Sequence, residues 1–142
     1  MDISSLSIAQ STVLHLAHPV SGEKLFIDVK GKLTTVPTDK AVTITVASTS
    51  SREYRVAIAA MQNRKIKRGT KPMTAEIQRE EGIELLTAVC LNADNLDYKG
   101  KAVKTTADFR ALLADDGLSW IKGQIDETVG AVELFIAESL TQ

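Results

Sequence analysis

Thr12-Val13-Leu14-His15-Leu16 mixes polar and apolar residues in near alternation, and Ser21-Gly22 offers a turn before Lys24-Leu25-Phe26-Ile27. This reads as two strands paired in a hairpin. Val42-Thr43-Ile44-Thr45-Val46 has a cleaner period of two, with three β-branched apolar side chains on one face and threonines on the other. A half-buried antiparallel strand requires that arrangement. Between them, Asp28 to Lys40 holds Gly31 and Pro37 and no sustained period, which predicts a mobile loop.

From Ser50 the period lengthens. Ser50 can cap the orphan amides of a helix while Glu53, three residues on, reaches back, making a capping box. Tyr54, Ile58 and Met61 then form one apolar stripe, with Gly69 placed to stop the helix after Arg68. A second helix is predicted after Thr74, polar through Glu81 and apolar at Ile83, Leu85, Leu86, Val89, Cys90 and Ala93. Asp97 to Lys101 predicts a small hairpin, because Gly100 accepts a positive φ. Thr105 with Asp108 opens a short helix that turns Phe109, Leu112 and Leu113 inward and breaks at Asp115-Asp116-Gly117. Ser119 is placed to cap the last and main packing helix, whose stripe is Ile121, Ile125, Val129, Val132 and Ile136, with an acidic outer face.

The expected fold class is therefore α+β. A small N-terminal antiparallel β-sheet or hairpin packs with about four α-helices, the long C-terminal one spanning the core. Residues 1–142 form a single domain, mainly β over 1–49 and mainly α over 50–142, with a short hairpin near 96–104. Length agrees, since a chain near ~150 residues can bury roughly 70% of its unfolded surface without a disulfide or a structural metal. The single Cys90 allows no disulfide framework and suits a reducing compartment. Asp2 stands where a signal peptide carries basic residues, and no stretch approaches the ~18 apolar residues of a membrane span, so neither secretion nor membrane insertion is expected.

The net charge of −1 conceals a division of sign. Residues 1–72 carry 11 Lys and Arg against 5 Asp and Glu, whereas residues 73–142 carry 6 against 13. Such polarity favours head-to-tail contact between copies, or a partner of alternating charge, over a purely nucleic-acid-directed surface.

Candidate chemistry is sparse. His15 and His18 have an H-x-x-H spacing that would gather a metal on a helix, but on a strand it aims the rings at opposite faces. Cys90 lies among apolar neighbours with no cation within a helical turn, as a buried thiol would. Gly22, Gly31, Gly69, Gly100 and Gly117 are isolated, so no phosphate cradle is drawn from them. Glu76, Glu80, Glu81 and Glu84 cluster as a metal or acid-base site would, yet carboxylates at a helix start also complement its dipole. No set of residues supplies nucleophile, base and orienting group together, so neither an enzyme nor a cofactor or metal site is expected.

The dense charge feature is Asn63-Arg64-Lys65-Ile66-Lys67-Arg68-Gly69-Thr70-Lys71, extended toward the helix start by Arg52 and Arg55. A solvated helix end, a protein-binding surface and a phosphate grip are the three readings. The last lacks stacking aromatics between Tyr54 and Tyr98. Trp120, the only tryptophan, is either core or a lid over an apolar groove.

The order of these pieces resembles the tail assembly chaperones of long-tailed bacteriophages and prophages with non-contractile tails. The resemblance runs through most of the chain, from Met1-Asp2-Ile3-Ser4 to Leu14-His15-Leu16 and the hairpin His18-Pro19-Val20-Ser21-Gly22-Glu23-Lys24-Leu25. It continues through Val42 to Val46 and the helix Tyr54 to Arg68, where Gln62-Asn63-Arg64-Lys65-Ile66-Lys67-Arg68 is its most distinctive string. Phe109-Arg110-Ala111-Leu112-Leu113 and Leu118-Ser119-Trp120-Ile121 to Asp126 match the family's leucine pair, acidic turn, Trp-Ile and final helix.

What the resemblance implies is a non-enzymatic protein of the host bacterial cytoplasm. It would hold the tape measure protein soluble until tail tube subunits polymerise around it, with the major tube protein as a further partner, self-association as an option and no membrane partner. On that expectation Arg52, Arg55, Arg64, Lys65, Lys67, Arg68 and Trp120 contribute to partner binding, and charge reversal at Arg64, Lys65 and Lys67 weakens association at low salt without lowering thermal stability. A permanent virion component, such as a head-tail connector or capsid decoration protein, is the alternative, and would be present in purified particles. A small DNA-binding protein is the second alternative, and would show affinity for duplex that falls steeply with salt.

Overall fold

A computed structural model describes residue 3 and residues 9–131. The architecture is α+β. Strands β1 (Ser11–His15), β4 (Thr43–Ala47) and β5 (Cys90–Asp94) form a three-stranded antiparallel sheet in the order β1-β4-β5. Two small ribbons flank it, β2 (Phe26–Ile27) with β3 (Leu33–Thr34), and β6 (Asp97–Tyr98) with β7 (Lys101–Ala102). The helices are α1 (Arg52–Arg68), α2 (Ala75–Val89), α3 (Thr106–Leu113) and α4 (Ser119–Gly130).

The central strand behaves as its period of two dictates. Val42, Ile44 and Val46 are buried on one face, and the register sets Ile44 opposite both Leu14 and Ala93. Ile121 and Ile125 of α4 are buried in the same core, as are Ile83 and Val89 of α2 and Phe109, Leu112 and Leu113 of α3. At roughly 1.5–3 kcal/mol for each large apolar side chain taken from water, this cluster is the main stabilising element. Val132 and Ile136, expected to extend the α4 stripe, lie outside the described residues.

Three expectations are corrected by the strand pairing. The principal partner of β1 is β4, in the register Ser11↔Ala47 to His15↔Thr43, and not the segment from Lys24 to Ile27. The expected hairpin survives as one bridge, Ala17↔Lys24, closed by His18 N–H donating to the Glu23 carbonyl. Only β4 offers β1 a full inner face of branched apolar residues, which accounts for the choice.

The segment expected as a loop carries β3. Its turn is built by Asp28, whose Oδ1 accepts from the Lys30 and Lys32 amides at 2.9 Å each, while Gly31 takes φ 79°. An Asp at the head of a tight turn is a legible signal, since its side chain satisfies backbone donors inside the turn.

Cys90 and Ala93 belong to β5 and not to the second helix, which ends at Val89. The register shifts between Thr45 and Val46, where a bulge lets Cys90 and Ala93 both face inward although they are three residues apart. A three-residue apolar spacing is also the helical one, so the bulge imitates a helix in the sequence.

Helix ends follow local chemistry with small shifts. Ser51, not Ser50, caps α1 through a 3.1 Å bond from the Tyr54 amide, so Glu53 does not stand three residues after the cap and the expected box is not made. Gly69 ends α1 at φ 61°, as expected. Thr74 caps α2, and Thr105 with Asp108 completes the expected capping box of α3. Ser119 does not cap α4. Leu118 holds that position without a side-chain bond, because a single 3-10 turn, Asp116–Leu118, delivers the chain, with Asp115 Oδ1 accepting from the Gly117 amide.

Candidate functional site

The site is a helix flank, and its origin is the way α1 is attached. α1 packs chiefly on α2, and none of its residues is fully buried. Tyr54, Ala57, Ile58, Ala60, Met61, Arg64 and Arg68 are half-buried, so the expected stripe is present but shallow. Val56 and Ile66 remain exposed, at 57% and 76%. Mean hydropathy along this helix is too low for burial on more than one side, which leaves it as an outer layer.

The basic residues divide into two groups. Arg64 Nη1 donates to Glu84 Oε1 at 3.2 Å, and its Nη2 lies 2.9 Å from Glu84 Oε2. That Nη2 is enclosed and not angled to donate, so proximity there is ionic and not a hydrogen bond. Arg68 Nη1 lies 3.5 Å from Glu81 Oε1, both side chains being largely enclosed. These two guanidiniums tie α1 to α2, and Glu81 and Glu84 are accounted for as their counter-ions. Glu80 likewise pairs with Arg79 and with Arg110 of α3. Arg52, Arg55, Lys65 and Lys67 make no ion pair with another described residue.

Between the helices runs a groove of about 390 Å³. Ala57 and Ala60 of α1 and Ala88 of α2 line it, with Val56 and Arg52 on the α1 side and Glu53 and Glu84 also at its edge. Spacing of four, four, three and four puts Arg52, Val56, Ala60, Asn63 and Lys67 along one flank of α1, with a cation at each end. The expected contact residues were Arg52 and Arg55 at the helix start, Arg64, Lys65, Lys67 and Arg68 at its end, and Trp120; of these only Arg52 lines the groove. Sequence reasoning missed Val56, Ala57, Ala60 and Ala88, because alanines carry no chemical signal until a second helix lies beside them.

Trp120 is not brought to this flank. It is half-buried against the core and stands between two recesses, sharing both with His18 and Pro19. It is therefore both core-packed and surface-lining, and neither of these two recesses includes a residue of α1.

The two histidines serve the backbone. His15 Nε2 sits 2.6 Å from the Leu25 carbonyl, with its ring edge-on to Phe26 at 4.8 Å. His18 Nδ1 accepts from the Val20 and Ser21 amides, which fixes the turn and occupies that nitrogen's lone pair. Burial pushes the Cys90 thiol up to about 12, so it is a core residue and no nucleophile at neutral pH.

The other perturbed groups stabilise helix junctions. The Lys104 and Thr105 amides hold the Asp108 carboxyl down at about 2. Tyr98 Oη donates to Asp115 Oδ2 at 2.8 Å, lowering the Asp115 carboxyl and raising the phenol. The Arg79 guanidinium, raised by its bond to Asp116, also donates to the Ala114 carbonyl at the end of α3. Each contact satisfies a turn or helix terminus, and Arg79 also lines a recess of about 360 Å³ with Lys122 and Asp126.

No helix among the described residues is long and apolar enough to cross a membrane. No protein-family model, no curated protein and no solved structure matches this chain.

Proposed function

We propose that this protein is a non-enzymatic chaperone of phage tail assembly, which binds the tape measure protein and keeps it soluble until the tail tube forms around it. Its resemblance to tail assembly chaperones motivates the reading. The observation that carries it is the attachment of α1: a helix layered on α2 with no fully buried residue, an uncovered apolar flank and four cations without ion pairs among the described residues. A binding protein for extended helical segments needs such a surface, with apolar area to shield the client's stripe and charge to orient it. Arg64 and Arg68 meet Glu76, Glu80, Glu81 and Glu84 around a recess of about 290 Å³ between α1 and α2, and the ion pairs they make there with Glu81 and Glu84 join the two helices, in keeping with a binding role.

The action is that of a holdase. Copies of this chain line the client, cover its apolar stripes and are displaced by tube protein, and the host cytoplasm is where this would happen. Co-expression with a tape measure protein from the same phage or prophage tests it, beside a tube-protein control. The expected result is a client that is soluble only with this chain and elutes with it. An insoluble client, with this chain present in finished particles, would instead make it a virion component.

A further inference from the structure

We infer that the groove between α1 and α2 is a docking site for an amphipathic α-helix whose apolar seam is flanked by carboxylates. This deepens the client-binding reading above by naming the place and the chemistry of the segment bound.

The floor of the groove is three methyl groups, those of Ala57, Ala60 and Ala88. Small side chains let a third helix approach closely, within the ~8–10 Å interaxial distance of packed helices. Val56, 57% exposed at the rim, is the apolar knob such a helix would cover.

Charge decides the kind of helix. The α2 carboxylate at the groove, Glu84, is already matched by Arg64, and Glu81 further along by Arg68. Arg52 lines the groove at one end, and Lys67 stands on the same flank beyond the other end, seven positions and so ~10 Å past Ala60; neither makes an ion pair among the described residues. Glu53 is the one carboxylate at the rim without such a pair, and it sits next to Arg52, leaving the Lys67 end the more cationic. Arg55 and Lys65 are off this flank by their spacing, so they neither help nor hinder. A helix with acidic residues toward both ends and small or aliphatic residues between them complements this pattern. A lysine-flanked helix opposes it, and the difference is one of specificity more than of raw affinity.

The test uses the whole chain and a synthetic helix of about 18 residues, with an alanine-leucine seam and glutamates at both ends, beside the same peptide with lysines. Amide chemical shifts are followed on titration, and tape measure co-purification is scored in parallel. Expected are saturable shifts clustered at residues 52–60 and 84–88 with the glutamate peptide only. Val56→Glu, an exposed position that leaves the fold intact, should weaken binding at least tenfold, Lys67→Glu several-fold, and Lys65→Glu not at all. No binding, equal binding of the lysine peptide, or binding indifferent to Val56→Glu overturns the docking site, even where the client co-purifies and the chaperone reading stands. Groove binding of the glutamate peptide without client co-purification keeps the docking site and removes the chaperone reading instead.

Discussion

Gln124 of α4 pairs with the backbone of Ala17 through two hydrogen bonds, its Oε1 accepting from the Ala17 amide at 2.9 Å and its Nε2 donating to the Ala17 carbonyl at 2.8 Å. The side-chain amide thus stands in for a neighbouring strand where β1 has run past its ladder with β4. Gln124→Ala leaves a half-buried donor and acceptor open and should cost about 1–3 kcal/mol in urea unfolding. Gln124→Glu keeps the shape but cannot donate, so it should be nearly as damaging at pH 7. A loss within about 0.3 kcal/mol for both variants would mean that the pair contributes nothing net.

Arg64 and Arg68 are expected to act on stability, unlike their neighbours. Arg68→Ala removes the cation beside the enclosed Glu81 and should lower stability by about 1 kcal/mol, whereas Lys67→Ala should stay within about 0.5 kcal/mol. Reversing Arg64 sets a third carboxylate beside Glu81 and Glu84, so a combined reversal of Arg64, Lys65 and Lys67 should depress the melting temperature. The expectation of unchanged stability then holds only for Lys65 and Lys67. Thermal melts of the single variants check this, and equal melting temperatures for Arg68→Ala and Lys67→Ala would contradict the ion-pair account.

Asp108 gives the acid limb of stability a definite position. Its carboxyl is held at about 2 in the fold, below its ordinary value near 3.9, by the Lys104 and Thr105 amides. A depressed folded value means that the stabilisation is complete above about pH 4 and is lost as pH falls through about 2. Asp108→Asn should therefore be less stable at pH 7 and show a flatter decline between pH 4 and 2. Parallel wild-type and variant curves over that window would exclude Asp108 as the source.

Cys90 should report global opening. With its thiol pushed up to about 12 by burial, it should react with a maleimide far more slowly than a free thiol at pH 7.5, and at a rate that rises with urea along the unfolding curve. Fast labelling in the absence of denaturant would place the sulfur at the surface. Phe109→Ala, which empties a fully buried site, should cost about 3–5 kcal/mol and accelerate that labelling, whereas Ile66→Ala, at an exposed position of α1, should do neither.

Much of the fold was legible because its causes are local. The inner face of Val42, Ile44 and Val46 follows from a period of two within one strand. The Thr105 and Asp108 box, the Gly69 stop and the turn at Lys99-Gly100, with φ 52° and 78°, follow from hydrogen bonds and sterics spanning four residues or fewer. The candidate site was half legible. A basic helix is visible in composition, but which of its cations are free depends on glutamates some twenty positions away on α2.

The sequence by itself determined the α+β class, the inward-facing residues of β4, α3 and α4, the C-terminal stop of α1 and the capping box of α3, and the division of charge between the two halves of the chain. Only the tertiary structure decided that β1 pairs with β4, that a bulge turns Cys90 and Ala93 into one strand face, and that Arg64 and Arg68 hold α2 while Arg52 and Val56 line a groove. The reason is one of range. Capping, turn sterics and periodicity act within one element. Ladder choice, bulges and ion pairing are settled by competition among partners far apart in sequence, where the burial gained by one arrangement outweighs the local preference for another.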